Sequence, residues 1–179
     1  PRTGAASLRD EFVNEVPQIW LFTGIPGAGK STIARAFAEH HERAAFVAGD
    51  ALRELVVSGI AWPEGSELEG EALRQYELSI RNQCLLARSF SEAGFLPVLD
   101  GVVVTKHHLK AYTSYLAGGH VNLVVLAPSA DVARGRDLER AGKTSPDVTH
   151  LDAVMRDELE GLGLWVDSGA LTAEATLAA

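Results

Sequence analysis

Five apolar runs punctuate the sequence, and the stretches between them carry apolar residues at helical spacing. The runs occupy 18–23 (QIWLFT), 44–48 (AAFVA), 95–100 (FLPVLD), 121–127 (VNLVVLA) and 164–167 (LWVD). Their near-continuous hydrophobicity is the pattern of strands buried on both faces, as in a parallel sheet covered by helices. After the first run, Ile33, Ala34, Phe37 and Ala38 recur at helical steps and predict a helix over 30–41. Further helices are expected over 51–58, 67–93, 105–116, 129–140, 151–162 and 172–179. Ser129 and Thr149 read as N-caps, Gly94 as the C-cap of the long helix and Gly70 as a break point within it. Residues 1–16 are polar, with a short amphipathic stretch at 8–16 closed by Pro17, and read as a leader helix. Apolar strands alternating with helices predict a three-layer α/β sandwich of about five parallel strands with right-handed crossovers. In such sheets ligands gather outside the carboxyl ends of the strands.

At the carboxyl end of the first run stands Gly24-Ile25-Pro26-Gly27-Ala28-Gly29-Lys30-Ser31, followed by Thr32. It fits the phosphate-binding pattern G-x-x-x-x-G-K-[ST] at each fixed position, and strand, loop and helix occur in the order that motif requires. Glycines let the backbone fold tightly enough for N–H groups to point at phosphate oxygens, and the following helix adds its positive end. Lys30 can reach the β- and γ-phosphates, and Ser31 is placed to ligate Mg²⁺. The expected fold is therefore a P-loop NTPase sandwich that binds ATP with Mg²⁺ through residues 24–32.

Bulk properties narrow the partners. At 179 residues and 46% hydrophobic, residues 1–179 read as a single domain. A net charge of −8 argues against a nucleic-acid partner, whose phosphates are held by clustered Lys and Arg. One cysteine, Cys84, excludes an intramolecular disulfide and reads as a small core residue. Neither a signal peptide nor a membrane-length apolar run is visible, so the expected location is the cytoplasm. The oligomeric state is left open.

Phosphoryl transfer needs a group to orient or deprotonate the acceptor and cations around the transferred phosphate. Asp50 and Asp100 close the second and third runs, so both should open onto the P-loop edge of the sheet. With the second strand taken as the neighbour of the first, Asp50 is expected to face the γ-phosphate as base, and Asp100 to join Ser31 near the metal. Each also fits a plain capping role. Arg136 and Arg140 share a helix face and lead into a Gly- and Pro-containing segment, so 134–149 is expected to be a lid carrying guanidinium groups to the phosphates. A solvated charged face is the alternative. Arg53, one helical turn from Asp50, and Arg81, mid-helix among Leu78, Leu85 and Leu86 where a charge wants a partner, are candidates for the acceptor pocket. Trp62, in a turn-rich loop, reads either as an aromatic wall for the acceptor or as a pin for its loop. His107 and His108 are adjacent, point different ways on a helix and make a poor metal pair.

These residues resemble the small P-loop kinases, a group including shikimate, gluconate and adenylyl-sulfate kinases and, nearest in character, chloramphenicol phosphotransferase. The likeness runs from Ile19 to Leu177. Gly49-Asp50-Ala51-Leu52-Arg53 resembles the segment of these kinases that carries an aspartate, taken as base in the phosphotransferase, and an arginine. Leu99-Asp100-Gly101 resembles a strand end with two aspartates, the second replaced here by glycine. Asp167-Ser168-Gly169 is similar to their adenine-contacting loop, which makes Ser168 a nucleotide-binding candidate. The resemblance implies an NMP-kinase-like fold with a lid, and transfer of the γ-phosphoryl of ATP to a hydroxyl of a small molecule, antibiotics among the candidates. Lys30, Arg136 and Arg140 would stabilise charge and Asp50 would accept the proton. The rivals are a nucleoside or nucleotide kinase, and a nucleotide-binding ATPase module acting on a protein partner.

Overall fold

All five apolar runs form strands of one sheet in the computed structural model, which describes residues 16–61, 69–139 and 150–178. The strands are β1 (Gln18–Thr23), β2 (Ala44–Ala48), β3 (Leu96–Asp100), β4 (His120–Leu126) and β5 (Leu164–Val166), in the order β2-β3-β1-β4-β5. Each pairing is parallel. Helices α1 (Lys30–Glu39), α2 (Gly49–Glu54), α3 (Gly70–Glu92), α4 (Lys106–Tyr115), α5 (Ala130–Glu139), α6 (His150–Glu158) and α7 (Ala173–Leu177) fill the connections. The predicted α/β sandwich with a five-stranded parallel sheet is the observed one. Among the described residues, no helix is long and apolar enough to cross a membrane.

The strand order corrects one expectation that matters for the site. The second strand does not lie beside the first: β3 separates them, pairing Phe22 with Asp100 on one side and Ala48 with Asp100 on the other. The physical reason is visible in burial. Val98 and Leu99 of β3 are fully buried, as a strand with neighbours on both sides must be. β2 alternates, with Ala45 and Val47 buried and Ala44, Phe46 and Ala48 only partly so, the period-two pattern of an edge. Leu21, Leu99, Val125 and Leu126 of the three inner strands reach 0% exposure and centre the core. Phe37 of α1 packs on Trp20 and Phe22 of β1, with ring centroids 4.6 and 5.4 Å away.

Element ends follow local chemistry. Thr105 caps α4 by accepting from the His108 N–H at 3.2 Å, Ser129 accepts from Val132 at 3.3 Å at the start of α5, and Thr172 caps α7 through Ala175. The long helix α3 begins at Gly70, where an interruption was expected, and stops as anticipated at Gly94. There the Phe95 N–H returns to the Phe90 carbonyl and the Gly94 N–H to Ser91, both at 2.9 Å, while the two phenyl rings pack edge to face. A second correction concerns Asp50. No coil separates β2 from the next helix: α2 starts at Gly49, so Asp50 occupies its first turn instead of ending a strand. Thr149, expected as a cap, lies outside the described residues.

Candidate active site

The loop 24–29 leaves β1 and delivers the chain into α1. Glycines make the path possible. Gly27 has φ 80°, and a Cβ there would overlap the Ala133 carbonyl of α5; Gly29, φ 94°, is the N-cap of α1 and is needed for its conformation alone. No side chain caps α1, and its first turn holds no acidic residue. The amides that open α1 are thus left for an anion, and the helix dipole favours one. Lys30 Nζ donates to the Ile25 carbonyl at 3.2 Å, which folds the ammonium back over the loop. Thr32 continues the first turn of α1 and is exposed.

Asp100 is brought to this loop because β3 is the direct neighbour of β1. It is 4% exposed, and both carboxylate oxygens are engaged: Oδ2 accepts from the Ser31 hydroxyl, and Oδ1 from the Gly49 N–H at 2.9 Å. The expected meeting of Ser31 and Asp100 is therefore observed across 69 positions of sequence. Two hard oxygen ligands side by side at the start of a P-loop helix suit Mg²⁺, which prefers carboxylate, hydroxyl and phosphate oxygens.

Asp50 is exposed and sits one residue beyond the amide that holds Asp100, on the side of the sheet away from β1. It shares the site's rim with Asp100 but is farther from the P-loop than a strand-end position beside β1 would have put it. Arg53, one turn on, donates to the Ala61 carbonyl at 3.0 Å. Its guanidinium pKa is lowered by burial, against the opposing charge of Asp50. Arg53, Leu52 and Val56 of the α2 region face Gln75, Leu78, Ser79 and Asn82 of α3 across a narrow recess of about 20 Å³. Arg81 does not join it. It is exposed, as are Leu78, Leu85 and Leu86 around it, so the buried charge expected there does not exist: none of these leucines is among the buried residues of α3.

On the other flank, Arg136 and Ser168 come together. Arg136 Nη2 donates to the carbonyls of Ser168 and Gly169 at 2.9 and 3.1 Å, and the buried Ser168 hydroxyl donates to the Ala28 carbonyl of the P-loop at 3.4 Å. Arg136 thus braces the loop after β5, which in turn leans on the P-loop. That differs from the phosphate-facing arginine expected. Arg134 pairs with the buried Asp137 at 3.9 Å. Trp62, Arg140 and the part of the expected lid from 140 to 149 lie outside the described residues.

Among the described residues no cluster of His, Cys, Asp and Glu could hold a metal on its own. Burial pushes the Cys84 thiol up to about 12, in keeping with an inert core residue. Three polar residues went unrecognised in the sequence. Thr23 is buried and exchanges hydrogen bonds with the Val103 backbone; Gln83, also buried, reaches the ends of β2 and β3, and the buried Tyr112 hydroxyl donates to Gln83. The available signal for Gln83 was its place on the apolar face of α3 with Ile80, Cys84 and Ala87. Gly101 has a steric reason to carry no side chain: a Cβ there would come 2.6 Å from the Tyr112 hydroxyl.

A family model described as an AAA domain matches residues 19–160. No curated protein matches the sequence. Several solved structures are similar. A sugar kinase from Janibacter sp. HTCC2649 is 18% identical with a TM-score of 0.63, the match covering 92% of this chain and 91% of that one. A gluconokinase from Sinorhizobium meliloti 1021 is 20% identical, TM-score 0.58, over 91% and 89% of the two chains. The tunicamycin resistance protein of Deinococcus radiodurans is 22% identical, TM-score 0.59, over 89% and 90%. At these identities the likeness is one of fold, a P-loop kinase-like α/β sandwich.

Proposed function

The chain belongs to the AAA domain family, and from that membership and the site's geometry we propose that it transfers the γ-phosphoryl group of ATP to a hydroxyl of a small molecule. The observation that carries this reading is the pairing of Ser31 with the buried Asp100 beside a P-loop whose helix has no side-chain cap. The likeness to a sugar kinase and a gluconokinase supports it, and with the likeness to a tunicamycin resistance protein it makes sugars, sugar acids and antibiotics the acceptor classes to try first.

In this reading the backbone amides of residues 27–32 hold the β-phosphate, and Lys30 swings from the Ile25 carbonyl to the β- and γ-phosphates. Magnesium held by Ser31 and Asp100 would spread the charge of the phosphates. Asp100 is not proposed as the base, because both of its oxygens already accept hydrogen bonds. Asp50, exposed in the first turn of α2 beside the Gly49 amide, is the carboxylate whose proposed role is to accept the acceptor's proton. Arg53, Trp62 and Arg81 were the acceptor-pocket candidates, and Arg53 is the one whose observed position supports that role. Arg140, with the segment 134–149, is the proposed cationic lid, while Arg136 acts through the Ser168 loop.

The test is an ATP-consumption screen against sugars, sugar acids, nucleosides and hydroxylated antibiotics, with the product mass measured. An acceptor that gains one phosphoryl group is the expected result. Phosphorylation of nucleosides alone would move the assignment to a nucleoside kinase. ATP hydrolysis that no small alcohol raises, but a protein does, would refute the kinase reading in favour of an ATPase module.

A further inference from the structure

Gln83 has 0% exposure, on the side of α3 that faces the sheet. A carboxamide buried so completely is costly unless each of its polar atoms finds a partner. Here Nε2 donates to the Val47 carbonyl at 2.6 Å and to the Asp100 carbonyl at 2.8 Å, and Oε1 accepts from the Tyr112 hydroxyl at 2.6 Å. The partners fix the orientation of the amide, since two carbonyls can only accept and so require the nitrogen. Tyr112 is itself 2% exposed, and burial holds its phenol well above the ordinary value, so it remains a neutral donor.

The two carbonyls gripped by Gln83 belong to the ends of β2 and β3, and they bracket the Asp100 clamp. Asp100 supplies one of them from its own backbone. Val47 supplies the other, two residues before the Gly49 N–H that holds Oδ1. One helical turn before Gln83, the Ser79 hydroxyl donates to the Gly49 carbonyl at 3.2 Å. Both strand exits are glycines with no space to spare. A Cβ at 49 would meet the Asp100 carbonyl at 2.8 Å, as one at 101 would meet the Tyr112 hydroxyl. The chain from Tyr112 through Gln83 to the strand ends has every donor and acceptor met, so it holds one geometry firmly, and losing any member strands a buried polar atom.

We infer that Gln83 and Tyr112 are positioning residues that set the Asp100 carboxylate against Ser31 and thereby set the protein's affinity for the divalent cation that accompanies the nucleotide. This rests on the nucleotide reading above. Neither residue reaches the nucleotide, so the effect must run through Asp100 and the Gly49 amide.

The experiment titrates a fluorescent ATP analogue into the full chain with and without Mg²⁺, for the parent, Tyr112→Phe, Gln83→Met and the double variant, alongside melting curves. Affinity without Mg²⁺ should match the parent. The enhancement by Mg²⁺ should fall by roughly 10-fold in each single variant, the lower end of what outer-shell changes cost a metal site. The double variant should lose no more than the worse single one, because both residues act through one chain of bonds. A folded variant that keeps the parent's Mg²⁺ enhancement overturns the inference. So does a loss of affinity that is equal with and without Mg²⁺, which is what a general weakening of the fold would give. If Gln83→Met does not fold, Tyr112→Phe decides alone, since it removes one oxygen and keeps the ring. A parent that binds no nucleotide refutes the nucleotide reading itself and takes the inference with it. A parent that binds nucleotide with no Mg²⁺ enhancement overturns the inference alone.

Discussion

Asp100→Asn separates the metal role proposed for this carboxylate from its structural one. The side chain is buried, with Oδ1 held by the Gly49 amide and Oδ2 by the Ser31 hydroxyl. Asparagine can keep Oδ1 as acceptor for Gly49 and turn its Nδ2 toward Ser31, whose hydroxyl can rotate to accept. Both hydrogen bonds survive but cease to be charge-assisted, a loss of about 1 kcal/mol together. For a domain of this size that lowers the melting temperature by roughly 2 to 4 °C. A metal held as proposed would, by contrast, lose its charged ligand outright, so the Mg²⁺-dependent part of ATP affinity should fall at least 10-fold. Asp100→Ala is the control for structure: it takes away the partner of the Gly49 N–H, leaves Ser31 to solvent, and should cost about 1 to 3 kcal/mol. Binding of a fluorescent ATP analogue with and without Mg²⁺, read beside melting curves, measures both quantities. If Asp100→Asn keeps the parent's Mg²⁺ enhancement, Asp100 is no metal ligand and its pairing with Ser31 is structural.

Lys30→Ala should lower turnover by about 10²-fold or more, since one preorganised charge-stabilising donor is worth a few kcal/mol; near-parent turnover in a steady-state ATP assay would remove the P-loop lysine from the mechanism. Asp50→Asn, at an exposed position that packs little, should lower turnover by about 10² to 10⁴-fold with an unchanged melting curve, and an active variant would send the search for the base elsewhere. Arg136→Ala should behave unlike a surface charge deletion: it removes two charged donor bonds to the Ser168 and Gly169 carbonyls, so the melting curve should register a loss of about 2 kcal/mol. Gly101→Ala forces a methyl group toward the Tyr112 hydroxyl and should cost about 1 to 3 kcal/mol in denaturant titration, although the backbone there is unremarkable for any residue.

The parts of this fold that sequence exposes are those written in local pattern. Apolar runs gave five strands, the glycine pattern at 24–31 gave the loop, and the capping residue Ser129 marked a helix start, because each depends on residues a few positions apart. Strand order is different in kind. Placing β3 between β1 and β2 depends on which strand can be buried on both sides, and only the contrast between the buried Val98 and Leu99 and the half-buried β2 reveals it. That one non-local fact sets how each of the two acids stands to the P-loop. Asp100 became the neighbour of the P-loop, and Asp50 moved out to the first turn of α2. The same limit explains Arg81, whose leucine neighbours suggested burial although helical spacing alone does not say which face meets the core. It also explains Gln83. A buried glutamine on an apolar helix face marks the presence of a polar network, but its partners at Val47, Asp100 and Tyr112 lie between 17 and 36 positions away. A reading of the site must therefore weigh polar residues that break an apolar face as heavily as it weighs motifs. Here such a residue joins the two strand ends on which the arrangement of Ser31, Gly49 and Asp100 depends.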